Sequence, residues 1–239
     1  MKRLIFFFLS ILSLNINAQN GFVFIELFTS QGDETCPVAE EILYRNVTQE
    51  IKNGANIFVL EYHVDYWNRL GWKDPFSKFQ FSRRQENYSR VLAEKELYTP
   101  EVVINGKVSF SGTKELSLKE EIIKASAQSS KGFLSMKKDS LANDTLYLTY
   151  TTTQASQNAV FRFAITESGL TTNVSAGENS NKSLMNNYVV RLLHSVDGVQ
   201  ESAQVKIPMN GLLLNSEMKL IGFIQRKQSM EIFGVCEVK

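Results

Sequence analysis

The chain has 239 residues, 43% of them hydrophobic, and a formal net charge of +1. That apolar fraction can build a sizeable core, and the length fits one large or two small domains. The near-neutral balance, with no basic patch, excludes nucleic-acid binding by phosphate neutralisation; along Lys114 to Lys124 the charges alternate in sign, as on a solvated helix face.

At the N-terminus, Lys2 and Arg3 precede an apolar run from Leu4 to Leu14 and a short polar stretch ending at Ala18, the pattern of a secretory signal. Residues 1–18 are expected to be cleaved, which delivers the protein to the periplasm or the medium; a retained N-terminal anchor is the alternative. The run is shorter than the ~20 apolar residues that span a bilayer, so no stable membrane span is expected after cleavage. Cleavage removes two basic and no acidic residues and moves the formal charge from +1 to −1.

From Gly21 to about Gln128, strands and helices alternate. Phe22 to Phe28 reads as a strand, Glu34 to Val47 as a helix and Asn56 to Tyr62 as a second strand; short apolar runs bounded by breakers suit parallel pairing. A helix is predicted from about Ser77 to Leu92. Glu101 to Ile104 and Lys107 to Ser111 flank Asn105-Gly106, the dipeptide suited to a two-residue hairpin turn. Ser117 to Ala127 closes the segment as an amphipathic helix, which gives the order βαβαββα.

Beyond Gly132 the helical periods stop. Short alternating runs follow at Leu146 to Thr153, Val160 to Thr166, Tyr188 to Leu193 and Lys219 to Gln225, bounded by turn residues such as Asn143-Asp144 and Asp197-Gly198. They predict a mainly-β, sandwich-like domain. The Ser/Gln/Lys stretch Ser126 to Gly132 marks the boundary, dividing the chain into a signal at 1–18, an α/β domain at 19–130 and a β domain at 131–239. Gly177-Glu178-Asn179 reads as a turn, and Arg191, in an apolar strand, is expected to pair with an acid such as Glu178.

The chemistry-bearing residues gather after the first two strands. Cys36-Pro37 opens the first predicted helix, whose N-terminal dipole favours a thiolate, while Asp33 and Glu34 oppose a second anion. Reactive thiol and packed apolar residue therefore both stand for Cys36. Asp33 fits an N-cap accepting from the amides of Thr35 or Cys36, with Pro37 in the first turn, where no amide donor is needed. His63, Asp65, Tyr66 and Trp67 follow the second strand at the C-terminal edge of a parallel sheet, where ligands bind in open α/β folds; the alternative is a packed lid held by hydrogen bonds from His63 and Asp65. Cys36, His63 and Asp33 are suitable ligand types for a metal, but no short-range ligand pair supports a site, so neither metal nor cofactor is expected. Cys36 and Cys236, about 200 positions apart, could pair in an oxidising compartment, and spacing alone does not decide whether they meet.

The element order, the Cys36 helix and Thr99-Pro100 ahead of the hairpin resemble the thioredoxin superfamily. The chain is more closely similar to a bacterial family of secreted thioredoxin-like proteins catalogued as a domain of unknown function. That resemblance is carried by ELFTSQG (Glu26 to Gly32), CP (Cys36-Pro37), HVDYW (His63 to Trp67), LGWKDPF (Leu70 to Phe76), YTPEVVING (Tyr98 to Gly106), GEN (Gly177 to Asn179) and VVR (Val189 to Arg191). It implies a thioredoxin-like domain followed by the β domain, a cis bond at Thr99-Pro100 facing Cys36, and Thr99 backbone groups presented to an extended peptide. Where the family carries C-x-x-C, this chain has Asp33-Glu34-Thr35-Cys36. The attacking thiol of that pair is gone, and ordinary dithiol exchange, which needs a resolving neighbour, is not expected. Two functions remain. One is a module that binds an extracytoplasmic protein or peptide near Thr99, Pro100, His63, Asp65 and Trp67, with lost or weakened thiol chemistry. The other is a monothiol redox protein acting through Cys36.

Overall fold

The computed structural model describes residues 21–129 and 132–238; the secretory signal expected at 1–18 lies outside them. β1 (Val23–Thr29) runs parallel to β2 (Ile57–His63), with Val23 opposite Ile57 and Thr29 opposite His63. Apolar runs covered on both faces are what parallel pairing demands. α1 (Cys36–Lys52) makes the crossover. A short 3-10 helix at Tyr66–Leu70 then leads to α2 (Phe79–Leu92), the hairpin β3 (Glu101–Ile104) and β4 (Val108–Ser111), and α3 (Glu115–Ser126). The first half thus follows the βαβαββα order. Asn105 and Gly106 have φ of 50° and 67°, the left-handed pair that a type I′ turn requires.

Side-chain alternation along β1 divides the core. Val23, Ile25 and Leu27 pack with Leu43 and Val47 of α1 and Leu118 and Ile122 of α3. Phe24 and Phe28, on the opposite face, pack with Tyr62 and with Phe81 and Tyr88 of α2. The α2 face also takes in Phe223, Ile232 and Val235 from the far end of the chain.

The second half supplies β5 (Leu134–Ala142), β6 (Thr145–Thr152), β7 (Ser156–Glu167), β8 (Leu170–Asn173), β9 (Ser183–Asn186), β10 (Val189–Val199), β11 (Ser202–Pro208), β12 (Met218–Arg226) and β13 (Ile232–Glu237). Four of these extend the first half's sheet into an eight-stranded one, ordered β13-β12-β7-β10-β2-β1-β3-β4. The seam is the parallel pairing of Val189 with Glu61, reinforced by the Glu61 amide donating to the Tyr188 carbonyl at 2.9 Å. A three-stranded sheet, β11-β6-β5, lies across the far end. It buries Leu146, Leu148 and Tyr150 against Phe161, Phe163 and Ile224, and Tyr150 stacks on Phe161 at 4.2 Å. This is face-to-face sheet packing of the sandwich kind, but one of its two layers is continuous with the α/β sheet.

Two expectations need correction. Asp197-Gly198 does not end a strand: β10 continues to Val199, and a register shift between Asp197 and Val199 absorbs the positive φ of Gly198 as a bulge. Arg191 pairs with Glu167 on β7, not with Glu178, because the β10–β7 ladder sets Val190 and Leu192 opposite Thr166 and Ile165 and so brings Glu167 within reach.

Candidate functional site

Thr29 ends β1, and the loop from Ser30 to Thr35 turns the chain into α1 at Cys36. Cys36 is 0% exposed, and the Ser30 amide donates to its Sγ at 3.3 Å. Burial pushes its thiol well above the ordinary value, and the charges of Asp33 and Glu40 push the same way. Together they outweigh the helix terminus, so at neutral pH Cys36 is a protonated, sequestered thiol. Cys236 is likewise free and is raised by burial to about 12.

Asp33 ties the loop to the segment ahead of β3. Its Oδ1 accepts from the Thr35 amide at 2.8 Å and the Thr35 hydroxyl at 2.7 Å, and its Oδ2 accepts from the Thr99 hydroxyl at 2.5 Å. Thr99 Oγ1 in turn accepts from Trp67 Nε1 at 2.7 Å. The geometric N-cap of α1 is Thr35, and Pro37 sits in the first turn. The Thr99–Pro100 bond is cis. Gly32 lets the loop pass close to Trp67: a Cβ there would lie 3.2 Å from the Trp67 Cβ, closer than an ordinary contact.

His63 points away from solvent. Its Nδ1 lies 2.7 Å from Asp74 Oδ2, and Asp74 also accepts from the Gln31 amide and the Phe76 amide, each at 2.9 Å. Burial disfavours the imidazolium, yet the Asp74 carboxylate overrides it and His63 is raised. Burial likewise opposes the Asp74 carboxylate, and His63 with the two amides holds it low. Asp65 accepts from the Ser82 hydroxyl at 2.5 Å while its amide donates to Ser82 Oγ at 3.0 Å. Asp33, Trp67, Thr99 and Pro100 thus converge; His63 lies behind them, and Cys36 beneath.

Asn179, read from sequence as a turn residue within the GEN motif, also reaches the loop. Fully buried, it donates through Nδ2 to the carbonyls of Gln31 at 3.0 Å and Asp33 at 2.9 Å, while Glu178 accepts from the Glu34 amide at 3.0 Å. Gln31 donates to Asn186 Oδ1 at 2.9 Å and accepts from Trp72 Nε1 at 3.1 Å. The loop is therefore clamped by residues some 150 positions away, which local pattern does not reveal. Two buried acids behind the site, Glu40 and Glu61, were also missed; a carboxylate inside the apolar run of β2 was the available signal. Burial pushes Glu61 well above the usual carboxylate range, and Glu40 upward.

Beside Thr99 lies an open groove of about 610 Å³, bordered by Tyr66, Trp67, Phe79, Leu97 and Tyr98, with Asp65 and Glu86 at its polar end. Phe79 is 68% exposed, an aromatic ring left in water at the rim. The Thr99 amide and carbonyl make no hydrogen bond among the described residues.

A family model described as "Protein of unknown function (DUF1223)" matches residues 24–225. The structure is similar to the crystal structure of a structural-genomics protein from Agrobacterium tumefaciens, with a TM-score of 0.66 and 24% identity over 92% of this chain and 96% of that one. That likeness shows a shared fold. A domain of the outer membrane lipoprotein Omp28 from Porphyromonas gingivalis aligns with a TM-score of 0.24 and 14% identity over 46% of this chain and 88% of that one, too loosely to bear on this molecule. No curated protein matches, and no helix among the described residues is long and apolar enough to cross a membrane.

Proposed function

Since the chain belongs to the family of proteins of unknown function DUF1223, we propose its function from the site itself: an exported, thioredoxin-like protein that binds extended polypeptide beside Thr99–Pro100 and has given up thiol–disulfide exchange. The thioredoxin-like reading is supported by the element order and by the cis Thr99–Pro100 bond facing the helix that Cys36 opens. Export rests on the basic-apolar-Ala18 leader.

The observation that carries the binding role is the state of Thr99. Its hydroxyl is held by Asp33 and Trp67, while its amide and carbonyl are without partners at the edge of an aromatic groove. A strand laid along the groove gains main-chain hydrogen bonds there and side-chain contact with Trp67, Phe79 and Leu97. Thiol chemistry is disfavoured because Cys36 is buried and protonated, and Asp33, where a partner thiol would stand, is committed to Thr35 and Thr99.

Fluorescence anisotropy with a library of unstructured, labelled peptides tests this reading. We expect saturable binding that Phe79→Ala, an exposed substitution, weakens at least tenfold and Cys36→Ser leaves unchanged. A mixed disulfide at Cys36, lost together with binding in Cys36→Ser, would establish the monothiol redox role instead; absence of binding across the library would refute the groove.

A further inference from the structure

Behind the groove, between α1 and the α1-facing side of β2, one donor atom from each of Glu40, Glu61 and His63 lies within 4.8 Å of the others. All three residues are buried, His63 completely and Glu61 to within 1%. Both carboxylate oxygens of Glu61 and Nε2 of His63 lack a hydrogen-bond partner. An orphaned polar atom is costly in a folded interior, so three of them in one place call for a common occupant.

The surroundings orient these donors. Asp74 accepts from the amides of Gln31 and Phe76 and faces His63 Nδ1; a carboxylate already accepting from two amides accepts from Nδ1–H as well, which leaves the Nε2 lone pair turned toward the acids. This carboxylate–histidine pairing is the arrangement that fixes imidazole ligands on metals. On the other side, the Thr29 hydroxyl donates to Glu40 Oε1 at 2.5 Å and holds the carboxyl group in place. Register completes the set: Glu61 and His63 are two apart on β2 and share a face, and Thr29 pairs with His63 across the ladder.

We propose that Glu40, Glu61 and His63 bind one divalent first-row transition-metal cation, which staples the first turns of α1 to the end of β2. Two carboxylates and a neutral imidazole match its charge; the imidazole favours zinc or iron over magnesium or calcium, and the two carboxylates also suit manganese. Ligand bonds of about 2.0–2.2 Å require the donors to draw together slightly, which rotation of the two glutamate side chains supplies. All three ligand residues are buried, so the ion is structural and enters when the chain folds.

The full mature protein, unfolded in denaturant with EDTA and refolded with or without Zn²⁺ or Mn²⁺, tests the proposal. After passage over chelating resin, mass spectrometry of the metal content is expected to give one ion per chain, with a higher melting temperature than the metal-free protein. Glu61→Gln and His63→Gln should weaken binding at least tenfold, and Asp74→Asn about 10–100-fold; Glu41→Gln, one position along the same helix, should not. Wild-type protein that retains no metal and melts unchanged would overturn the proposal. So would Glu61→Gln retaining wild-type stoichiometry, since the ion would then sit elsewhere.

Discussion

Glu101, the residue after the cis Thr99–Pro100 bond, is wholly buried and pushed up to about 8 by burial, with the Glu94 charge adding to it. Ser109 Oγ lies 2.8 Å from Glu101 Oε1 and also contacts Glu94. A hydroxyl has one proton to give, so a protonated Glu101 donating to Ser109, which donates to Glu94, satisfies all three. The unfolded chain releases the Glu101 proton near 4.5, the folded one near 8. Stability is therefore fully present below about pH 4.5 and lost as pH rises towards 8, by at most about 1.4 kcal/mol per pH unit. Glu101→Gln should flatten that slope, measured as urea midpoints across the window; an unchanged slope would mean that Glu101 titrates normally. Sequence left the Cys36 thiol undecided for a related reason. The dipole and the nearby acids were both visible around Cys36, but burial, the largest influence on it, depends on a fold that buries α1's first turn, and that context is not written near position 36.

Among the elements, α2 is held to the sheet by more than its apolar stripe. Arg84, almost fully buried, donates from Nε to Glu26 Oε1 at 2.6 Å and from Nη1 to Gln225 Oε1 at 3.1 Å. Gln225 also accepts from Arg162 Nε at 2.8 Å and donates to the Met230 carbonyl at 2.7 Å, and Tyr88 donates to Glu26. Replacing one member strands the rest. Arg84→Met should cost about 3–5 kcal/mol because it leaves the Glu26 carboxylate buried and unpaired, and combining it with Glu26→Gln should recover part of that loss in chemical denaturation. Full additivity of the two changes would refute the coupling. The helix itself was legible from its periodic aromatics, and β1, β2 and β3 from their apolar runs. β5 was not: after Leu134 and two half-buried residues it is exposed to its end, with three charges in a row at Lys137, Lys138 and Asp139, so it shows no alternation, as suits an outer strand. The ends of β7 and β10 were also underestimated, because polar residues such as Gln157, Asn158, Ser195 and Asp197 interrupt them and cross-strand pairing keeps them extended.

On the scale of the whole molecule, the eight-stranded sheet does not respect the composition change near residue 130. β2 would lose its β10 neighbour if the chain ended there, and the α2-side core would lose Phe223, Ile232 and Val235. A chain of residues 19–129 should therefore show no cooperative thermal transition by near-UV circular dichroism, whereas a chain of residues 19–239 should unfold in one; a native-like, cooperative 19–129 fragment would establish it as an independent unit. The composition shift was read correctly as a change from α/β to mainly-β, but strand order across it depends on pairings between remote segments. The Asn179 clamp adds a consequence in time. Chains emerge N-terminus first, so the carbonyls of Gln31 and Asp33 wait for a side chain made almost 150 residues later. Until then the loop that leads into Cys36 lacks the side chain that fastens it.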